Sequence, residues 1–275
     1  MLRKEIHLYR VKFVRPSQMP LFSPERSPRD IMLAAISEKP THLLSNGTGW
    51  SIGNVNFFSD ESGYFAIGRI SKRSVERFDR ESGDFIDEVD ETGPYTLVFF
   101  DASIGLLGIQ KKTNVSASPE SISRRIKALF EITGAVVETA VNVIVQYIPD
   151  PEDFVVKLKS AYSIKRFRAT FTGPNPTDAD EIFQKPLSVY CDTLGASNGA
   201  VEVVGADLDA EAAEAVARST AATANTASAT IIEHHGKKSR RIHMKRSAAV
   251  VQVDPEQSRQ EILNSVKSEY SRVRK

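Results

Sequence analysis

The hydrophobic period changes near the middle of this chain, and that change limits the fold more than any other feature. Residues 7–14, 49–58, 64–71, 95–101 and 105–112 are short runs rich in β-branched, aromatic and other apolar residues, bounded by Gly, Pro, Asn and Asp. Ala102-Ser103-Ile104-Gly105 separates the last two and suits a hairpin turn, with Gly105 free to adopt a positive φ. The first half is therefore expected to form an antiparallel sheet. It carries one early helix over 28–38, capped by Ser27 and preceded by a linker holding Pro16, Pro20 and Pro24.

Three further helix starts share one chemistry: Ser118-Pro119-Glu120, Asp150-Pro151-Glu152 and Asp254-Pro255-Glu256 each place a capping oxygen, a proline and an early acid in order. From residue 141 strands and helices alternate. The expected order is strand 141–148, helix 151–161, strand 164–172, helix 178–194, strand 200–204, helix 208–234, strand 241–253 and a last helix over 255–273. The last helix would bury Ile262, Leu263, Val266 and Tyr270. The fold class is α+β, with a mainly antiparallel β lobe over 1–135 followed by a lobe of alternating strands and helices over 136–275.

At 275 residues, 41% of them hydrophobic and 26% charged, the chain can bury a core without covalent staples. Cys191 is the sole cysteine, so no intramolecular disulfide forms, and no secretory apolar segment follows Met1. Both point to the cytoplasm. No apolar run reaches the roughly 20 residues that span a bilayer, so membrane insertion is not expected.

A net charge of +1 hides a strong sorting of charge. Acids dominate residues 76–101, with Glu76, Asp79, Glu81, Asp84, Asp87, Glu88, Asp90, Glu91 and Asp101 against Arg77 and Arg80. This segment reads as a long acidic loop. Between His234 and Val253 there is no acid, while Lys237, Lys238, Arg240, Arg241, Lys245 and Arg246 crowd together. A second acid-free stretch, 155–177, carries Lys157, Lys159, Lys165, Arg166 and Arg168.

Alternation along a strand gives these bases a direction. Arg241, His243 and Lys245 share one face opposite Ile242, Met244 and Arg246, and Arg166, Arg168, Thr170 and Thr172 lie opposite Lys165, Phe167, Ala169 and Phe171. A charge run is ordinarily a solvated face, and a basic edge strand ordinarily guards against aggregation. Two such stretches in one lobe favour an anionic polymer. The candidate nucleic-acid-binding residues are Lys165, Arg166, Arg168, Lys237, Lys238, Arg240, Arg241, His243, Lys245 and Arg246. Binding through phosphates without base readout is expected, because no helix-turn-helix, zinc finger or aromatic single-strand platform is present.

The alanine-rich segment 208–234 reads as a helix that can approach another backbone closely, its hydroxyls at Ser219, Thr220, Thr223, Thr226, Ser228 and Thr230 back-bonding or facing phosphate. Gly236 would be its C-cap.

Enzyme chemistry has little purchase. His234, His235 and His243 with Glu233 lack zinc-binding spacing, and the surrounding bases repel a cation. Gly47, Gly49 and Gly53 are followed by no helix or Lys-Ser pair, Cys191 has no histidine nearby in sequence, and no metal or cofactor is expected. The alternative is a magnesium-dependent nuclease using Asp178, Asp180 and Glu181, although acids in a first helical turn are accounted for by the helix dipole. Asp150, Asp153 and Lys157 loosely echo a nuclease core, with Asp150 better used as a cap. A second alternative is an interaction module for a partner protein of a defence system.

The order of segments also resembles the RexA-like phage-exclusion and prophage defence proteins. The likeness rests on residues 64–71 with the acidic stretch after them, on Pro94-Tyr95-Thr96-Leu97-Val98-Phe99-Phe100-Asp101 with Ile104-Gly105-Leu106-Leu107-Gly108, and on the helix over 118–130. It continues through residues 164–171, 200–204 and a last helix ending Tyr270-Ser271-Arg272. The resemblance implies a homodimeric, largely sequence-nonspecific double-stranded DNA-binding protein, related in shape to the recombination-associated protein RdgC and acting in anti-phage defence by exclusion or abortive infection. It transfers no site residue.

Overall fold

Antiparallel pairing runs through the whole molecule. The computed structural model describes residues 3–14, 26–43, 48–172, 181 and 183–275. The linker prolines Pro16, Pro20 and Pro24 lie outside the described residues, as does the expected helix start at 178. The first half supplies β1 (Lys4–Val14), α1 (Pro28–Ser37), β2 (Thr41–Leu43), β3 (Gly49–Ser59), β4 (Ser62–Phe78), β5 (Phe85–Thr92), β6 (Tyr95–Asp101) and β7 (Leu106–Gln110). After α2 (Pro119–Glu131) and α3 (Gly134–Thr139) come β8 (Asn142–Tyr147), α4 (Glu152–Lys159), β9 (Ser163–Thr172), α5 (Gln184–Thr193) and β10 (Asn198–Val204). The chain ends with α6 (Ala210–Ala222), β11 (Ala227–Ile232), β12 (Arg240–His243), β13 (Val250–Val253) and α7 (Arg259–Arg274).

A nine-stranded sheet runs β13-β1-β7-β6-β4-β3-β2, with β5 paired to β4 and β8 to β1. It curls into a half-barrel. Strand alternation gives each of its faces a separate core. Tyr9, Val11, Phe65, Val98, Phe100 and Leu107 pack under α1 and α2, against Ile31, Ile36, Ile122, Ile126 and Phe130. Ile6, Leu8, Tyr64, Phe99 and Leu106 face Ile262, Val266 and Tyr270 of α7 and the inner face of a second, four-stranded sheet, β10-β9-β11-β12. Each fully buried large side chain stabilises by roughly 1.5–3 kcal/mol. β8 and β13, both from the second half, complete the large sheet by flanking β1.

Gly108 shows how closely α7 lies on the sheet. A Cβ there would stand 2.9 Å from Cγ2 of both Ile6 and Val266, so only glycine fits under the helix.

Several expected elements form as read. Ser27 and Ser118 cap α1 and α2 through their side chains, Gly105 makes the β6–β7 turn at φ 63°, and Cys191 is buried. Three expectations are corrected. The acidic segment is no loop: β4 continues to Phe78 and pairs with β5 from Ser71↔Thr92 to Phe78↔Phe85, forming a hairpin arm. Its exposed Phe78 and Phe85 rings lie 5.2 Å apart, and Arg77 pairs with Glu88 at 3.0 Å. The last helix begins later than Pro255, because Ser258 and Glu261 form a capping box. The third correction is that the expected helix over 208–234 ends at Ala222. Ala224 takes a left-handed φ of 55°, and β11 follows, with Gly236 at φ 77° in the β11–β12 hairpin loop and not at a helix end.

Among the described residues no helix is long and apolar enough to cross a membrane.

Arg10, on β1, joins the two layers from a fully buried position. Its Nη1 donates to the Ala222 carbonyl at the end of α6 (3.0 Å) and to the Tyr270 hydroxyl of α7 (2.7 Å). A second junction forms where buried Arg218 of α6 bonds Glu214 and Glu152, and partly exposed Arg272 of α7 bonds Glu152, Asp150 and Glu269. Hydrogen bonding to Glu269, added to the nearby Asp150 charge, outweighs burial and holds the Arg272 guanidinium well above its ordinary value. Tyr270→Phe deletes only the hydroxyl that receives Arg10 and is expected to cost about 1–3 kcal/mol, the usual range for a hydrogen bond to a charged group. Urea denaturation compared with wild type measures it, and a loss below about 0.5 kcal/mol, the surface-mutation range, would show that this bond does not tie the layers.

Candidate nucleic-acid interface

The four-stranded sheet places both basic stretches on one surface, with β11 between them. β9 pairs with β10 on one side and with β11 on the other, and β12 pairs with β11. The register puts Val204, Arg166, Thr230 and Arg241 in one cross-strand row and Glu202, Arg168, Ser228 and His243 in the next. Thr170 and Thr226 extend the pattern, since the Thr226 amide donates to Thr170 Oγ1 at 2.9 Å and the Thr170 amide to the Thr226 carbonyl at 2.9 Å. Residues of opposite parity, Phe167, Ala169, Ala229, Ile231 and Ile242, are buried against α4 and α6. The apolar face anchors the sheet, which leaves the polar rows exposed.

Arg166, Arg168, Arg241, His243 and Arg246 are all exposed, whereas Ser228 is 8% exposed and lies low between the arginine-bearing strands. Arg241 donates to Ser228 Oγ at 3.3 Å, and Arg166 pairs with Glu202 at 2.8 Å. The side chains of Arg168 and Arg246 make no hydrogen bond or ion pair among the described residues. Where β12 ends, Arg168, Thr170, Thr226, Ser228, Arg241, His243 and Arg246 line a pocket of about 210 Å³ floored by Ala227 and Met244. Among the described residues no carboxylate lines it.

Other candidate residues lie apart from this pocket. The pairing shifts between Thr230 and Ile231, so that Ile231 faces Ile164 and Thr230 faces Arg166. Lys165 is the extra residue of this bulge, and its Nζ donates to the Ala206 carbonyl. Lys237 and Lys238 are exposed in the loop joining β11 to β12, where the His235 ring stands edge-on to Tyr162 at 5.2 Å. Arg240 pairs with Glu233 across that hairpin, and Lys245 pairs with Asp153 of α4. The Lys245 hydrogen bond, strengthened by its charge, holds the Asp153 carboxyl below its ordinary range.

The expected strand over 241–253 is corrected on the same ground. β12 stops at His243, the chain leaves the sheet, and Arg246 lines the pocket beside Arg241 and His243 instead of sharing the buried face of Ile242 and Met244. The hydroxyls of Ser228 and Thr230 were expected on a helix and stand on β11. Thr223 does back-bond, to the Ser219 and Thr220 carbonyls at 3.1 and 3.0 Å. β11 itself had a signal in sequence: Ala227, Ala229 and Ile231 alternate with Ser228, Thr230 and Ile232.

The acids of the nuclease alternative are not brought together in what is described. Asp178 and Asp180 lie outside the described residues, and Glu181 pairs with Lys185 at 2.7 Å. Among the described residues, no group of three or more His, Cys, Asp or Glu side chains is placed to hold a metal ion.

Replacing Lys245 by alanine is expected to return the Asp153 carboxyl toward the ordinary aspartate value of 3.8. A pKa lowered by folding stabilises above that ordinary value, and the contribution fades as pH falls through the folded value. A carboxyl-detected NMR titration of wild type and K245A reads the shift, and identical curves would mean the pair does not persist in solution.

No protein-family profile matches the chain, and no curated protein matches it.

Proposed function

We propose that this protein binds double-stranded DNA through its phosphates, largely without regard to sequence, as a homodimer serving anti-phage defence. The observation that carries the DNA reading is the pair of cross-strand rows, Arg166–Thr230–Arg241 and Arg168–Ser228–His243. They form a basic, hydroxyl-bearing surface on the exposed side of a sheet whose other side is locked into the core. Guanidinium groups and hydroxyls are the usual phosphate-contacting side chains. Lys237 and Lys238 extend the positive surface along the β11–β12 loop. The dimer and the defence role rest on the resemblance to phage-exclusion proteins.

The acidic hairpin arm belongs to the same reading. Glu76 and Asp87 face each other across its strands, and directly opposed like charges are unfavourable without a cationic partner. The arm is thus a competitor for a basic surface, and its removal should tighten DNA binding.

The test is a titration of unrelated duplexes at several salt concentrations, with and without magnesium. Each phosphate contact contributes about −0.9 to the log–log salt slope. Arg168→Ala combined with Arg241→Ala should weaken binding equally on all sequences and flatten the slope by about 2. An unchanged slope would remove this face from the interface. Magnesium-dependent cutting would favour the nuclease alternative, and absence of binding at low salt would turn attention to an acidic protein partner.

A further inference from the structure

Resting on the DNA reading, we propose that the pocket at the end of β12 receives a terminal phosphomonoester, so that the protein engages phosphorylated DNA ends in preference to continuous duplex. The surface is not uniform. Beside the open row of Arg166, Thr230 and Arg241, the exit of the chain from the sheet after His243 brings Arg246 toward Arg168, Arg241 and His243. Three guanidinium groups and an imidazole therefore surround one pocket of about 210 Å³, ample beside the roughly 30 Å³ share of a water molecule.

Charge matching selects the ligand class. A phosphodiester within a strand carries one negative charge and continues in both directions, whereas a monoester carries about −1.5 to −2 and presents three acceptor oxygens. Among the described residues no lining carboxylate offsets the cations, so a single diester would leave most of their charge uncompensated. The monoester matches it better and needs only one exit from the pocket. Guanidinium forks can grip its oxygens in pairs. The side chains of Arg168 and Arg246 have no other partner among the described residues, while the Ser228 hydroxyl already holds Arg241 in place. Buried Ala227 and Met244 supply an apolar part of its lining.

The experiment uses the full chain and one 20-base-pair duplex in three forms, bearing 5′-phosphate, 3′-phosphate or only hydroxyl ends, together with relaxed closed-circular DNA. Wild type is expected to bind at least one phosphorylated form about tenfold or more tightly than the hydroxyl form, as one charge-assisted hydrogen bond allows. Arg246→Ala should abolish that preference, with thermal melting confirming that this exposed substitution leaves the fold intact. Arg246→Lys keeps the charge without the fork and should retain part of it. Lys237→Ala with Lys238→Ala should weaken all forms alike. Equal affinity for phosphorylated and hydroxyl ends, with circular DNA still bound, would overturn the pocket assignment and leave general DNA binding standing. If no DNA binds but calorimetry detects inorganic phosphate and Arg246→Ala removes it, the monoester site stands and the DNA reading falls. If neither binds, both fall.

Discussion

A guanidinium sealed inside the protein sets the arrangement of everything around it. Arg10 sits on β1, the strand that pairs with β7, β8 and β13 and so joins first-half and second-half strands in one sheet. Burying such a group is costly, and each donor that finds an acceptor lowers the cost. The Ala222 carbonyl and the Tyr270 hydroxyl, which also presents its ring 5.6 Å from the guanidinium carbon, supply two such acceptors. Ala222 is the last residue of α6, so this bond satisfies a carbonyl that the helix end leaves open. Ala224 then reverses the backbone and β11 begins at Ala227, the strand that holds the two basic strands apart. The cationic surface is thus placed by an interaction on the opposite side of the sheet.

Much of the fold is legible in local chemistry. Ser27 and Ser118 announce their helices because cap, proline and acid all fall within one turn, while β1, β6 and β7 are legible as short apolar runs buried on both faces and β9 as an alternation that buries one. What stays hidden depends on contacts distant in sequence. Alanine's high intrinsic propensity favours helix over residues 227–232, yet Ala227, Ala229 and Ile231 gain more by covering the core beside β9. The hairpin arm is concealed by its charges, since residues 85–89 of β5 are exposed and no alternation of burial marks them. Pro255 imitates a helix start, but Ser258 and Glu261 satisfy two backbone donors there and win.

The site shows the same division. Sequence places the bases on two strands but not beside each other, because β9 and β12 meet only through an intervening strand. It also cannot reveal which bases are already neutralised. Asp153 and Glu233 lie outside the acid-free stretch that made Lys245 and Arg240 conspicuous, and each reaches one of them. At the pocket the surviving set, Arg168, Arg241, His243 and Arg246, is smaller than composition implies and more sharply focused.

The position of β11 carries a cost-saving consequence for this concentration of charge. Neighbouring strands lie about 4.8 Å apart, so the arginines of β9 and β12 emerge from backbones separated by about 10 Å, close to the screening length of physiological salt. The small side chain of Ser228 leaves the space between them open. A sheet with β9 directly beside β12 would force the same cations together and strain its own register. Inserting one neutral strand lets the protein keep a high charge density without folding against it.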